Sequence, residues 1–208
     1  MAVTPPDYAG LKTRIAANLA AFPRREIDPA GLRQAAVAIV VSPFRGRATF
    51  LLTRRALTMR RNAGNFALPG GNFEPGEDMF DAARRETFEE LGVTLGRDAA
   101  VGRLDDFQTL AGHRVTPVVF WSDNVLKLVP DPVEVHRAWR IPLAELDHPQ
   151  SPRRLTHGDS DKQILQMRVR GQWINAPTAA WLWQFREVAL HGRASRLDDV
   201  GQPAFTRN

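Results

Sequence analysis

The stretch Asp78–Gly92, DMFDAARRETFEELG, constrains this chain more than any other segment. It carries its own boundary signals: Asp78 is placed to cap a helix at Asp78–Leu91, acids fill the first turn, and Gly92 is placed to end it. Successive helical residues rotate by about 100°, so with Met79 at zero Glu89, Glu86 and Glu90 fall at roughly 280°, 340° and 20°. Phe80, Ala83, Thr87 and Leu91 form a separate apolar stripe at about 40–120°, fit to face a core. One face packs, and its neighbour presents three carboxylates. Like charges three and four apart cost a helix a few tenths of a kcal/mol per pair and raise one another's pKa values. Hard Mg²⁺ or Mn²⁺ removes both penalties, whereas a solvated acidic face is the ordinary fate of a charge run. On the residues alone the two readings stand level, although Glu86, Glu89 and Glu90 have no evident cationic partner.

The surroundings sharpen the contrast. The 208-residue chain carries a net charge of +5, and all but three of its 28 basic residues are arginine. Gly71–Val93 holds seven acids against two bases, an acidic island in a basic protein. Just before it, Arg54, Arg55, Arg60 and Arg61 precede the Gly70–Gly71 pair. Arginine suits planar, bidentate contact with phosphate, so phosphate-rich partners are in view, whereas Arg55 and Arg61 on their own read as solvated arginines of a strand end and loop. Cysteine is absent, which excludes disulfides, zinc-thiolate sites and thiol catalysis. The longest apolar run, Ala35–Val41, is far short of the ~18 residues that cross a bilayer. No charged start with a following apolar stretch marks a signal peptide, so a cytoplasmic protein is expected.

Coarse patterning gives one α/β domain. Residues 1–31 read as an N-terminal helical extension, with Leu11, Ile15 and Leu19 four apart. Residues 32–192 read as the main domain, and 193–208 as a loose tail. Strands are expected at 34–42 and 48–54, then a hairpin about 111–114. Another strand follows at 133–139, a helical turn at 142–146, a hairpin about Gly171 and a last helix over Thr178–His191.

Read from Gly71, the chain gives Gly, five residues, Glu77, seven residues, then Arg85-Glu86-Thr87-Phe88-Glu89-Glu90-Leu91-Gly92-Val93. This spacing resembles the Nudix box of hydrolases that act on nucleoside diphosphates linked to another moiety; Thr87 stands where an aliphatic residue is commoner. The resemblance implies an α/β/α sandwich with a mixed sheet, a loop–helix–loop metal site and bound Mg²⁺ or Mn²⁺. It implies that Glu86 and Glu90 are the main metal ligands and that Glu89 is a ligand that also handles the water proton. Gly70 would offer a backbone carbonyl to the metal. Glu77 and Arg85 would form a buried pair positioning the turn, with Gly71 and Gly92 also structural.

A second spacing, Leu51-Leu52-Thr53, Arg55, Ala56, Arg60, Gly64 and Pro69-Gly70-Gly71, resembles the motif before the box in coenzyme A diphosphatases of that superfamily. The likeness covers about residues 34–190. It implies hydrolysis of coenzyme A or an acyl-CoA to 3′,5′-ADP and a 4′-phosphopantetheine product, with Arg60, Gly64 and Arg55 as substrate contacts. Leu68, Asn65 and Asn72 depart from the family's usual residues and bear on substrate choice. ADP-ribose, NADH or an oxidised nucleotide are the rival substrates. A ligand-sensing or nucleic-acid-binding module without catalysis is the rival class. The expected partner is a small CoA-like nucleotide, with no nucleic acid and no membrane, and a homodimer is allowed. Glu134 is read as a plain surface glutamate, although it matches an acid beyond the box. His113 is read as solvent-facing, and the five tryptophans as core or interface residues.

Overall fold

The computed structural model describes residues 7–59, 62–156 and 162–203. In chain order these form α1 (Tyr8–Ala21), β1 (Arg33–Phe44), β2 (Arg47–Arg55), β3 (Phe66–Ala67), β4 (Gly70–Asn72) and α2 (Met79–Leu91). A 3₁₀ turn leads to β5 (Ala100–Arg103), β6 (Phe107–Gln108), β7 (His113–Trp121) and β8 (Val135–Pro142). After a second 3₁₀ turn come β9 (Arg153–Leu155), β10 (Gln163–Val169), β11 (Gln172–Asn175), α3 (Thr178–Gln184), a π-helical turn over Phe185–Leu190 and β12 (Val200–Gly201).

β1 shows how the sequence dictates the layers. Its apolar run does not alternate with polar residues because both faces of the strand are covered. Val37, Ile39 and Val41 point into one core with α1 and α3, while Ala36, Ala38 and Val40 point into a second core under α2. The result is a helix–sheet–helix sandwich around a mixed sheet ordered β3-β2-β1-β7-β5, with β4 on β1, β6 on β7 and β8 on β2. β1 and β7 run parallel from Arg33↔His113 to Val41↔Trp121, and the β1–β2 and β2–β8 pairs are antiparallel. A smaller sheet, β11-β10-β12 with β9 on β10, stands beside it. Among the described residues no helix is long and apolar enough to cross a membrane.

The α/β sandwich with a mixed sheet is therefore as expected from the sequence, as is a helix over the N-terminal extension, but the C-terminal segment differs from expectation. α1 is part of the main core: Ile15 and Leu19 are buried, Tyr8 stacks on Trp121, and its hydroxyl donates to the Ser122 carbonyl at 3.0 Å. Residues 193–203 are docked, where a loose tail was expected. Leu197 and Val200 are buried, β12 pairs with β10, and Arg196 Nη1 donates to both oxygens of buried Asp105 at 2.9 and 3.0 Å. Two isolated apolar residues in a polar segment give no periodicity to read, and their partners lie far away in sequence. Removing one member of a largely buried pair leaves the other charge uncompensated. Arg196→Ala should therefore lower stability by about 1–3 kcal/mol, read as a drop in thermal midpoint of about 2–4 °C per kcal/mol. An unchanged midpoint would mean that the tail is not held.

Candidate functional site

The helix that carries the glutamates is built as its termini specify. Asp78 Oδ1 accepts from the Phe80 and Asp81 amides at 2.9 and 3.0 Å, and Gly92 closes the helix at φ 65°, its amide donating to Phe88 O. Ala83, Thr87 and Leu91 are buried against the sheet, as the stripe required. Thr87 sits there at little cost because its hydroxyl donates to the Ala83 carbonyl at 2.6 Å.

Three carboxylates meet, though not the three expected. Glu86, Glu90 and Glu134 each bring an oxygen within 4.8 Å of the others. Glu134 is thus a member of the cluster and not a plain surface residue. It reaches the site because the loop before β8 is laid on the end of α2: Val129 N donates to Leu91 O at 2.8 Å and Asp131 N to Glu90 O at 3.0 Å. The Glu134 carbonyl then accepts from Ala56 N at 2.8 Å, tying the loop to the end of β2. Glu89 stays at the rim, its side chain 49% exposed and held by Arg85. Nor are the glutamates free of cations: Arg85 Nη1 donates to Glu86 at 2.9 Å and to Glu89 at 2.8 Å. The same guanidinium grips Glu77 through Nε at 2.8 Å and Nη2 at 3.2 Å, and also reaches the Asn72 carbonyl. The Glu77–Arg85 pair is present and partly buried. Arg85 holds the Glu77 carboxyl below its usual range.

Glu90 is the outlier. At 3% exposure it is buried, and burial pushes its carboxyl up to about 8; Glu86 and Glu134 add to the rise and Arg55 opposes it. Burial also raises Glu86, against the pull of Arg85. The glycine pair makes room for this cluster. A Cβ on Gly70 would lie 2.3 Å from the Ala36 carbonyl, and one on Gly71 would lie 2.2 Å from Glu86 Oε1. The Gly70 backbone lies close enough to Glu90 to draw its carboxyl back down, which sets it beside the cluster. Three oxygen ligands at this separation, one of them buried against its own charge, fit a hard divalent cation.

Arg55 faces the cluster across a register shift between Arg54 and Arg55 where β2 meets β8. It lines a cavity of about 370 Å³ together with Gly71, Glu86, Glu90 and Glu134. Its Nε is buried without a hydrogen-bond partner among the described residues. A larger cavity of about 430 Å³ shares Arg55 and Gly70 with the first and extends to Gly64, Trp173, Asn175 and Trp181. Gly64, at φ 70°, lines it and accepts from Arg54 Nε at 2.9 Å. His113 lines it too, where a solvent position was expected. Arg60 lies outside the described residues. Asn175 escapes sequence reasoning, Trp173 reads there as core or interface, and Glu134 is weighed as a base or ligand but reads as a surface residue, because all three sit on strands and loops beyond the motif. The match of Glu134 to an acid beyond the box was the one available signal.

Comparison with known proteins gives the family. Residues 32–165 match the family model described as NUDIX domain. A protein named uncharacterized Nudix hydrolase NudL from Photorhabdus laumondii is 32% identical over 150 residues, covering 72% of this chain and 77% of that one. Nudix hydrolase 3 of Caenorhabditis elegans is 38% identical over 105 residues, and the chain spans only 44% of its length. A MutT/nudix family protein from Enterococcus faecalis superposes with a TM-score of 0.53 at 17% identity, over 80% of this chain and 66% of that one, and shows the shared fold. The chain belongs to the Nudix family, and the relatives named here are called Nudix hydrolases.

The raised Glu90 carboxyl has a pH signature. The folded state holds a proton that the unfolded state, with an ordinary value of 4.5, releases, so stability is full below about 4.5 and is lost as pH rises through about 8. Metal-free protein should lose thermal midpoint across pH 5–8, and Glu90→Gln should flatten that slope. Because Mg²⁺ or Mn²⁺ must displace the proton, the gain in midpoint on adding metal should grow from pH 6 to pH 8.5. A slope unchanged by Glu90→Gln would contradict the assignment.

Proposed function

We propose that this Nudix hydrolase cleaves the diphosphate bond of coenzyme A or an acyl-CoA in the cytoplasm, releasing 3′,5′-ADP and a 4′-phosphopantetheine product. The observation that carries the reading is the Glu86–Glu90–Glu134 cluster opening onto a cavity that it shares with Arg55. Glu86, Glu90 and Glu134, with the Gly70 carbonyl, would hold Mg²⁺ or Mn²⁺. When bound, the metal neutralises phosphate oxygens and lowers the pKa of a water. Arg55 supplies a guanidinium to the same oxygens from the opposite wall, where burial strengthens its pull. Arg85 keeps Glu86 aimed and holds Glu89 at the rim, the residue proposed to handle the water proton. Gly64 and Arg60 are proposed contacts to the nucleotide half, and Gly71 and Gly92 keep the turn and the helix end in place.

A specific observation keeps the other diphosphates in play. Asn65 and Leu68, two of the residues that depart from the coenzyme A diphosphatase pattern, both line the larger cavity. Substrate choice is made at that wall, so ADP-ribose, NADH and oxidised nucleotides belong in any substrate panel. Products identified by mass decide it: 3′,5′-ADP with a phosphopantetheine supports coenzyme A, whereas AMP points to another diphosphate. Salt-sensitive DNA binding without hydrolysis would instead support a binding module.

Glu90→Gln and Glu86→Gln should each lower turnover by a factor on the order of 10² or more with the fold retained by circular dichroism. Glu134→Gln should weaken metal binding by roughly 10–100-fold. Wild-type turnover in Glu90→Gln would refute the metal assignment. Glu89→Gln tests the rim role separately, and the expected result is a turnover loss without loss of metal affinity.

A further inference from the structure

The larger cavity lies against β11, an edge strand of the smaller sheet, where Gln172, Trp173, Ile174 and Asn175 line it. Leu165, Met167 and Ile174 are buried in the main core. Of the alternate positions, Gln166, Arg168, Trp173 and Asn175 are polar or aromatic, and Ile164 is apolar. Arg153 on β9, Gln166 on β10 and Asn175 on β11 are direct cross-strand partners, so their side chains form a row on the other face. Trp173 is two residues before Asn175 and shares its face, and both line the cavity.

The row has a fixed polarity. An arginine side chain has donors only. Arg153 Nε donates to Gln166 Oε1, which commits the other end of that amide, Nε2, to donate, and Asn175 Oδ1 accepts it. The Asn175 carbonyl is thereby used, and its NH₂ group is the end left over at the cavity wall. Arg153 is itself held, its guanidinium 3.8 Å from the centre of the Trp173 ring. Another aromatic wall comes from α3. Trp181 is 5% exposed, lines the same cavity, and its indole N–H has no hydrogen-bond partner among the described residues.

From this row we infer that Asn175 is a specificity-determining residue, donating its amide to a hydrogen-bond acceptor on the organic arm of the substrate, and that Gln166 is a positioning residue that sets its polarity. The site selects an arm carrying an unprotonated ring nitrogen or an amide carbonyl in reach of Asn175. In a coenzyme A-like diphosphate the first belongs to the adenine of the nucleotide half and the second to the pantetheine half. Naming those two halves rests on the proposed substrate; the donor polarity of the wall does not.

Two near-isosteric variants test it. Asn175→Asp still accepts from Gln166 but has no donor to offer the cavity. Gln166→Glu still accepts from Arg153 but cannot donate to Asn175, so the Asn175 amide turns over and presents its carbonyl. The probes are 3′,5′-ADP and 4′-phosphopantetheine, titrated separately without turnover, with occupancy read from the fluorescence of Trp173 and Trp181. One half should bind the wild-type protein saturably, and both variants should weaken it by about tenfold while leaving the other half unaffected. The half affected identifies the acceptor. During turnover, the loss in Gln166→Glu should fall on KM rather than kcat, which a merely structural role would not produce. Affinity for both halves unchanged in the two variants, equal weakening of both halves, or no binding of either half to the wild-type protein overturns the inference. If one half binds as described but no diphosphate is hydrolysed, the substrate reading fails while the donor wall stands.

Discussion

A carboxylate kept out of water is the constraint on which the rest of this structure turns. Glu90 sits at the bottom of the cleft on the helix face next to the one that packs, so the position that fixes it also desolvates it. A buried charge needs a partner, and the chain supplies Arg55 from β2 on one side and the Gly70 backbone on the other. Glu86 and Glu134 then add like charge to the same place. Without a cation that arrangement spends stability; with one it becomes an ordinary oxygen ligand set. The local cost is therefore informative, because a fold selected for stability alone has no reason to gather three acids there.

The sandwich exists to hold those pieces in register. β1, covered on both faces, is the spine, and β4 lies along it so closely that Gly70 admits no side chain. Gly71 then passes beneath the Glu86 carboxylate, and Arg85 ties the loop to the helix through Glu77 and Asn72 O. The loop at 129–135 is pinned to the end of α2 by backbone hydrogen bonds, which is how an acid far away in sequence reaches Glu90. Charge and topology are thus one problem in this molecule: each ligand arrives on a different element, and each element is fixed by backbone contacts near it.

Much of this was legible from residue patterns. The Asp78 cap, the Gly92 terminus, the buried strand at β1 and the hairpin about Gly171 follow from local chemistry, and the structure has all of them. The arc holding Glu86, Glu89 and Glu90 was legible too, but an arc of ~100° is wider than a metal site. Which edge of it faces the cleft depends on how α2 sits on the sheet, and that is a long-range fact. The outcome favours Glu86 and Glu90, one turn apart, and leaves Glu89 outside with Arg85. Glu134 was visible only as a resemblance, since nothing local distinguishes it from a surface acid. The parallel pairing of β1 with β7, the two-residue strands and the docked segment around Leu197 carry too little local signal to read.

The central claim is that Glu86, Glu90 and Glu134 form one divalent-cation site. Crystals grown metal-free and soaked in millimolar Mn²⁺, with data collected near the manganese absorption edge, test it most directly. The account predicts an anomalous peak bounded by those three carboxylates and the Gly70 carbonyl. A well-ordered cluster with no peak among them, or a peak held by Glu89 with Glu134 turned to solvent, would contradict it.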